Sequence, residues 1–196
     1  MNKTTQTLLA ELNKTSKEFW NISPETGQFI HELILTNPEI RTILEIGTSN
    51  GVSGIWMAEA LRKKSPDPST TTKSKTHQLH TIESHKKLRF SLAKENFTKA
   101  GLTPFITQIL GHAPEDLPTE PAQFDLIFLD ATKYEHIDYL KTLLPRTHKG
   151  TIIITDNAIS HKADLTTYAS EITQNPSFET ELVEIGTGLL ISTRTA

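Results

Sequence analysis

Asp130, Asp156 and Asn157 close two short runs, the nearly all apolar Phe124 to Asp130 and the continuous apolar Thr151 to Thr155. Carboxylate and amide oxygens are hard ligands. Two acids and one amide, with room left for water, suit magnesium, manganese or calcium better than zinc. A plainer reading remains open, in which Asp130 closes a turn and Asp156 caps the next helix. Lys133 follows Asp130 by three residues, a place where a lysine is ordinarily a solvated helix-start residue. Upstream, Glu83 ends the run Leu79 to Ile82 and is suited to accept both hydroxyl hydrogens of a ribose. Gly47 and Gly51 have the spacing G-x-x-x-G, which is not the dinucleotide pattern G-x-G-x-x-G and disfavours a nicotinamide cofactor. A glycine turn there still lets backbone approach a ligand closely, and Ser53 adds a hydroxyl at the start of the following helix.

These residues need a scaffold that gathers strand ends. Thr42 to Ile46 reads as a strand, Gly47 to Gly51 as a turn, and the stretch through Ile55, Met57, Ala58 and Leu61 as a helix. The alternation continues with strands at Leu79 to Ile82, Ile106 to Leu110, Phe124 to Asp130 and Thr151 to Thr155. Helices are expected at Lys86 to Ala100 and Tyr134 to Leu144. Strands without polar alternation are buried on both faces and belong to a parallel sheet covered by helices. Glu181 to Ile185 and Leu189 to Thr193, separated by Gly186-Thr187-Gly188, suggest a hairpin and so an antiparallel strand at the sheet edge. Two helices precede the first strand, one from Thr5 to Phe19 and one from Pro24 to Leu35 with Ser23 as N-cap. Arg62 to Gln78, rich in Ser, Thr, Lys and Pro, reads as a solvated, mobile loop. Trp20 and Trp56 read as core or N-terminal packing. His112, His136 and His161 read as polar lining or surface, without a role as ligands.

At 196 residues, 36% hydrophobic and 22% charged, the chain can bury a full core, so residues 1–196 are read as one α/β domain. A net charge of -3 argues against a protein held to nucleic acid or lipid by bulk electrostatics. The absence of cysteine excludes disulfides, thiolate metal sites and a cysteine nucleophile. No apolar leader and no run of about 18 apolar residues is present, so a soluble, cytoplasmic protein without a membrane partner is expected.

Five separated motifs agree in order and spacing with one family. Leu44-Glu-Ile-Gly-Thr-Ser-Asn-Gly-Val-Ser53, Thr81-Ile-Glu83, Phe124-Asp-Leu-Ile-Phe-Leu-Asp-Ala-Thr-Lys133-Tyr, Asp156-Asn157 and Ile185-Gly-Thr-Gly-Leu189 resemble the metal-dependent O-methyltransferases that include the catechol and caffeoyl-CoA enzymes. The resemblance runs from about Ser23 to the C-terminus. It implies a single Rossmann-like methyltransferase domain, with a mostly parallel seven-stranded sheet, a C-terminal antiparallel edge hairpin and helices on both faces. It also implies N-terminal helices (1–36) covering the site, and a homodimer. Glu45, Gly47, Thr48 and Ser53 resemble the turn that holds the methionine part of S-adenosyl-L-methionine. Glu83 resembles the ribose-binding acid, and Ala113 the residue whose backbone meets the adenine. Asp130, Asp156 and Asn157 fall on the family's divalent metal ligands, Asp130 also bordering the cofactor, and Lys133 falls on its catalytic base. Thr132 stands where many plant members carry a second acid, a position that speaks to acceptor choice.

Methyl transfer from a sulfonium is an in-line displacement, so the acceptor oxygen must be aligned and made nucleophilic. A phenol of pKa near 10 is only about a thousandth ionised at pH 7, a deficit of roughly 4 kcal/mol that metal coordination can largely remove. The same cation disfavours the ammonium form of a neighbouring lysine, which then serves as a neutral base. The leading expectation is therefore methylation of a metal-chelated hydroxyl on a small, catechol-like acceptor. Two alternatives stand beside it. One is methylation of a hydroxylated tRNA base, favoured by the loop lysines Lys63, Lys64, Lys73 and Lys75. The other is a cofactor-binding protein without turnover.

Overall fold

The computed structural model describes residues 1–65 and 77–196. Seven strands form one sheet: β1 (Thr42–Ile46), β2 (Gln78–Glu83), β3 (Ile106–Leu110), β4 (Leu126–Leu129), β5 (Ile152–Asp156), β6 (Phe178–Val183) and β7 (Leu189–Arg194). Their order is β3-β2-β1-β4-β5-β7-β6. The first five are parallel, while β7 lies antiparallel between β5 and β6, so the hairpin supplies the edge as its sequence implied.

The apolar runs are explained by two cores. Successive side chains of a strand point to opposite faces, and here both faces are covered. Ile43, Phe128 and Ile154 pack on one side with Ile30, Ile34, Ile55 and Phe97. Those four belong to α3 (Pro24–Thr36), α4 (Val52–Lys64) and α5 (Ser91–Lys99). Leu44, Ile127, Leu129 and Ile153 face the other way, onto Tyr139, Leu140, Tyr168 and Ile172. These come from α6 (His136–Leu143) and α7 (Thr166–Gln174). Helix α7 covers this second core and was not foreseen from sequence.

Several expected boundaries shift. The helix expected from Thr5 to Phe19 is two, α1 (Lys3–Asn13) and α2 (Ser16–Phe19). The break falls where Thr15 leaves helical geometry at φ -105° and turns its hydroxyl back to the Leu12 carbonyl, 3.0 Å away. Ser23 caps α3 as expected, accepting from the Thr26 amide at 3.1 Å. The segment expected as a loop from Arg62 to Gln78 is regular at both ends. Arg62 to Lys64 complete α4 and Gln78 opens β2, while residues 66–76 lie outside the described residues. Lys86 to Phe90 form a wide π-helical turn ahead of α5. The 124–130 run is shorter as a strand than as an apolar pattern, because Phe124 and Asp125 bond instead to Arg146 and Thr42 carbonyls. Among the described residues no helix is long and apolar enough to cross a membrane.

Candidate active site

The order in which strands are added reverses between the parallel neighbours β1 and β4, and such a switch point leaves a crevice beyond the carboxyl ends of the strands. A cavity of about 590 Å³ lies there. Gly47, Glu83, Ala113, Asp130, Lys133, Asp156 and Asn157 all line it, so seven of the ten expected site residues meet in one place. Glu45, Thr48 and Ser53 do not line it. They are buried beneath the turn, where the Ser53 and Thr81 hydroxyls both donate to the Glu45 carboxyl and Thr48 Oγ1 meets Thr81 Oγ1 at 2.5 Å. Their place in the structure is to brace the glycine turn from below.

The turn is tight because of Gly47. Its φ is +103°, and a Cβ there would collide with the Asp130 carbonyl. Backbone of the β1 turn is thus pressed against the end of β4, which sets Asp130 beside the turn. Glu83 is held by two amides, Ser49 N to Oε2 at 2.8 Å and His85 N to Oε1 at 2.8 Å. It is 6% exposed, so each oxygen keeps its remaining acceptor capacity for the cavity.

Across the cleft, Lys133 Nζ donates to Asp130 Oδ1 at 2.8 Å. Burial pushes the Asp130 carboxyl up to about 6; Lys133 opposes the shift and the neighbouring Asp156 adds to it. Asp156 ends β5, and its Oδ1 accepts from Thr187 Oγ1 at 2.7 Å, reached across from the hairpin turn. Asn157 adopts a left-handed φ of +67°. Each acid therefore keeps one oxygen without a hydrogen bond among the described residues, and the Asn157 side chain makes none. Hard oxygen donors left open to a cavity, with the Asp156 carboxylate close enough to raise that of Asp130, fit a divalent cation. Among the described residues no group of three His, Asp or Glu is arranged for a metal, and the candidate set stays below that number because its third member is an amide.

Sequence reasoning missed several lining residues. Trp20, expected in packing, is 73% exposed on the rim. It occupies the left-handed region at φ 53°, where the chain turns out of α2. Trp56, by contrast, is partly buried against the core. Arg89, Ser49 and Thr187 also line the cavity, while His112 and His161 line it in keeping with their reading as polar lining or surface. His136 was expected near the surface but is fully buried, its Nδ1 at 3.0 Å from the Thr132 carbonyl. The period-3.6 pattern of α6 could have shown this, since His136 shares a face with Tyr139, Leu140 and Leu143. Lys64 lies at the opposite end of the sheet, its Nζ donating to the Asn37 and Ile40 carbonyls at 2.5 and 2.6 Å. Lys73 and Lys75 lie outside the described residues.

Catechol O-methyltransferase of Niastella koreensis is 34% identical over 71% of this chain and 58% of its own length. Catechol O-methyltransferase of Mycobacterium tuberculosis is 29% identical over 70% of this chain and 57% of its own. The matched part of the chain therefore spans little more than half of these curated relatives. The structure of an O-methyltransferase from Bacillus cereus in complex with SAH superposes with a TM-score of 0.77 at 23% identity, covering 100% of this chain and 92% of that one. A methyltransferase domain model matches residues 44–158, the stretch that runs from the first strand through the glycine turn, Glu83, Asp130 and Lys133 to Asp156 and Asn157. The chain belongs to the methyltransferase family.

Proposed function

We propose that this chain is an S-adenosylmethionine-dependent O-methyltransferase that methylates a hydroxyl of a small, catechol-like acceptor chelated to a divalent metal. The observation that carries the reading is the convergence of Asp130, Lys133, Asp156 and Asn157 on the cavity that also holds Gly47 and Glu83. A nucleoside cofactor and an activated oxygen nucleophile would meet there. The names of the curated relatives and the SAH bound in the Bacillus cereus enzyme support the same reading.

Glu83 accepts the ribose hydroxyls, the Ala113 backbone meets the adenine, and the Gly47 turn passes close under the methionine part. Asp130, Asp156 and Asn157 would hold the metal, magnesium first by donor type, which lowers the cost of ionising a bound hydroxyl. Lys133 stands beside that position. Its ammonium is paired with Asp130 in the free protein, and as the neutral amine it takes the acceptor proton at Nζ. Thr132 adjoins both and shapes the acceptor side of the cavity. S-adenosylmethionine, when bound, would supply the methyl group by in-line displacement from its sulfonium, with the neutral thioether as leaving group. The catechol-like acceptor is favoured over RNA because neither described loop lysine serves the cleft: Lys63 lies beside the Met1 amino group, and Lys64 binds carbonyls away from the cavity.

Calorimetric titration with S-adenosylmethionine and S-adenosylhomocysteine, each with magnesium and with chelator, tests the cofactor. Methyl transfer to dihydroxy aromatics and to unmodified tRNA then tests the acceptor. Binding of either nucleoside and metal-dependent turnover on the aromatics is expected; binding of neither removes the reading. Lys133→Ala should lower turnover on the order of 10²-fold while metal binding persists. An unchanged rate at neutral pH would show that Lys133 is not the base.

A further inference from the structure

The charges lining the cavity are unequal. Glu83, Asp130 and Asp156 supply carboxylates, and Lys133 and Arg89 supply the fixed cations. Lys133 is already paired with Asp130 at 2.8 Å. Arg89 has no carboxylate partner within ion-pair distance among the described residues. Its guanidinium lies instead over the indole of Trp20, 4.7 Å from the ring centroid. Stacked in that way, an arginine keeps its N–H edge free to donate in plane to a carboxylate.

The platform beneath it is specifically built. Trp20 holds a left-handed backbone, φ 53° and ψ 41°, that bulky residues rarely adopt. Flanking bonds fix it there. Ser49 Oγ donates to the Phe19 carbonyl at 2.8 Å, the Asn21 amide donates to the Ser16 carbonyl at 3.0 Å, and Asn21 Nδ2 donates to the Leu12 carbonyl at 3.2 Å. A tryptophan kept in an unfavourable conformation and left 73% exposed on the rim is not there to fill the core.

We propose that Arg89, seated on Trp20, is the carboxylate-binding residue of this cleft. The inference rests on the methyltransferase reading above and adds a recognition residue to it. The methionine tail of the cofactor brings a sulfonium, an ammonium and a carboxylate. The acids that line the cavity offer that carboxylate no partner, and the unpaired lining cation suits it. The ligand carboxylate has two sources, the methionine tail and an acid group on the acceptor.

Calorimetry on wild type, Arg89→Ala and Trp20→Ala, with S-adenosylhomocysteine and with its decarboxylated analogue, separates them. With the cofactor as source, Arg89→Ala weakens S-adenosylhomocysteine about 10- to 100-fold and leaves the analogue within about twofold. Trp20→Ala gives the same selectivity with a smaller loss. The unchanged analogue doubles as proof that each variant is folded. With the acceptor as source, both nucleosides bind the variant as they bind wild type, and Arg89→Ala impairs saturation by a dihydroxybenzoate, the carboxylated acceptor, more than saturation by catechol. Equal loss of both nucleosides, or no change in either arm, overturns the proposal while leaving the methyltransferase reading intact. Failure of wild type to bind S-adenosylhomocysteine overturns both.

Discussion

The two halves of the cleft are built on opposite principles. On the β1–β2 side the polar groups bond to the protein itself. Glu83 accepts two amides, and Glu45 accepts two hydroxyls beneath a turn clamped onto the Asp130 backbone. On the β4–β5 side the side chains of Asp130 and Asp156 each have a single bond, and that of Asn157 has none within the described residues. A satisfied network fixes a shape before any ligand arrives, whereas half-satisfied buried acids are costly and call for a charge from outside. On the function proposed above, the first half would be preformed for a nucleoside, and the second would be completed by a cation and an acceptor.

The sharpest way to break this contrast is Asp156→Ala. If the acceptor half depends on a cation, turnover should fall on the order of 10³-fold or more, while S-adenosylhomocysteine affinity stays within about threefold by calorimetry. Equal loss of both properties would show that the two halves are one unit. Next comes the buried Glu45. Burial pushes its carboxyl up to about 7, against the opposing hydrogen bonds of Ser53 and Thr81, with Asp130 and Glu83 adding to the rise. That value lies above the usual 4.5, so the folded state takes up the proton more readily than the unfolded chain. The resulting stabilisation is complete below pH 4.5 and fades as pH rises through about 7, above which the fold carries a buried carboxylate. Glu45→Gln should therefore gain on wild type between about pH 5 and about pH 8, by on the order of 2–3 kcal/mol. Urea midpoints at the two pH values measure it, and a gap independent of pH would place the Glu45 proton elsewhere.

The same contrast marks what the sequence could and could not show. Asp130, Asp156 and Asn157 were legible because apolar runs without alternation imply parallel strands, and their ends are where such a sheet keeps its ligands. The hairpin was legible from two β-prone runs about a Gly-Thr-Gly turn. Depth was not legible: Glu45 and Ser53 belong to the glycine-turn motif yet do not line the cavity, since alternation along β1 buries Glu45 and the first turn of α4 brings Ser53 down onto its carboxyl. Trp20 and Arg89 were missed for a different reason. Their meeting depends on a break between α1 and α2 and on a π-helical turn before α5, neither of which has a periodic signature. The Thr187 hydroxyl reaches Asp156 across 31 positions of sequence, a contact that only the folded sheet creates.

A smaller effect sharpens the nucleoside half. Glu83→Ala should weaken S-adenosylhomocysteine roughly tenfold, the worth of a charge-assisted hydrogen bond. The metal affinity measured by magnesium titration should not change. A parallel fall in metal affinity would mean that the acids share one ligand.

The smallest effect concerns the brace under Lys133. His136 is fully buried against Tyr139 and Tyr168, at ring-centroid distances of 5.5 and 5.6 Å. Its Nδ1 meets the carbonyl of Thr132, the residue between the Asp130 strand end and the lysine. Burial, helped by the charge of Lys133, drops the imidazole to about 4, below its usual 6.5. A depressed pKa means that the neutral ring is favoured by folding. The stabilisation is whole above pH 6.5 and is lost as pH falls towards 4. His136→Gln should differ from wild type by a constant amount above about pH 7, and wild type should lose about 1 kcal/mol relative to it on going from about pH 6.5 to about pH 5.5. Denaturant midpoints across that range measure the change. Because the imidazole is neutral at pH 7, it holds the turn without adding a second cation beside Lys133, and the charge of the acceptor half stays negative. A flat difference from pH 7 to pH 5 would mean that the ring keeps access to solvent, and that the turn carrying Lys133 opens in the free protein.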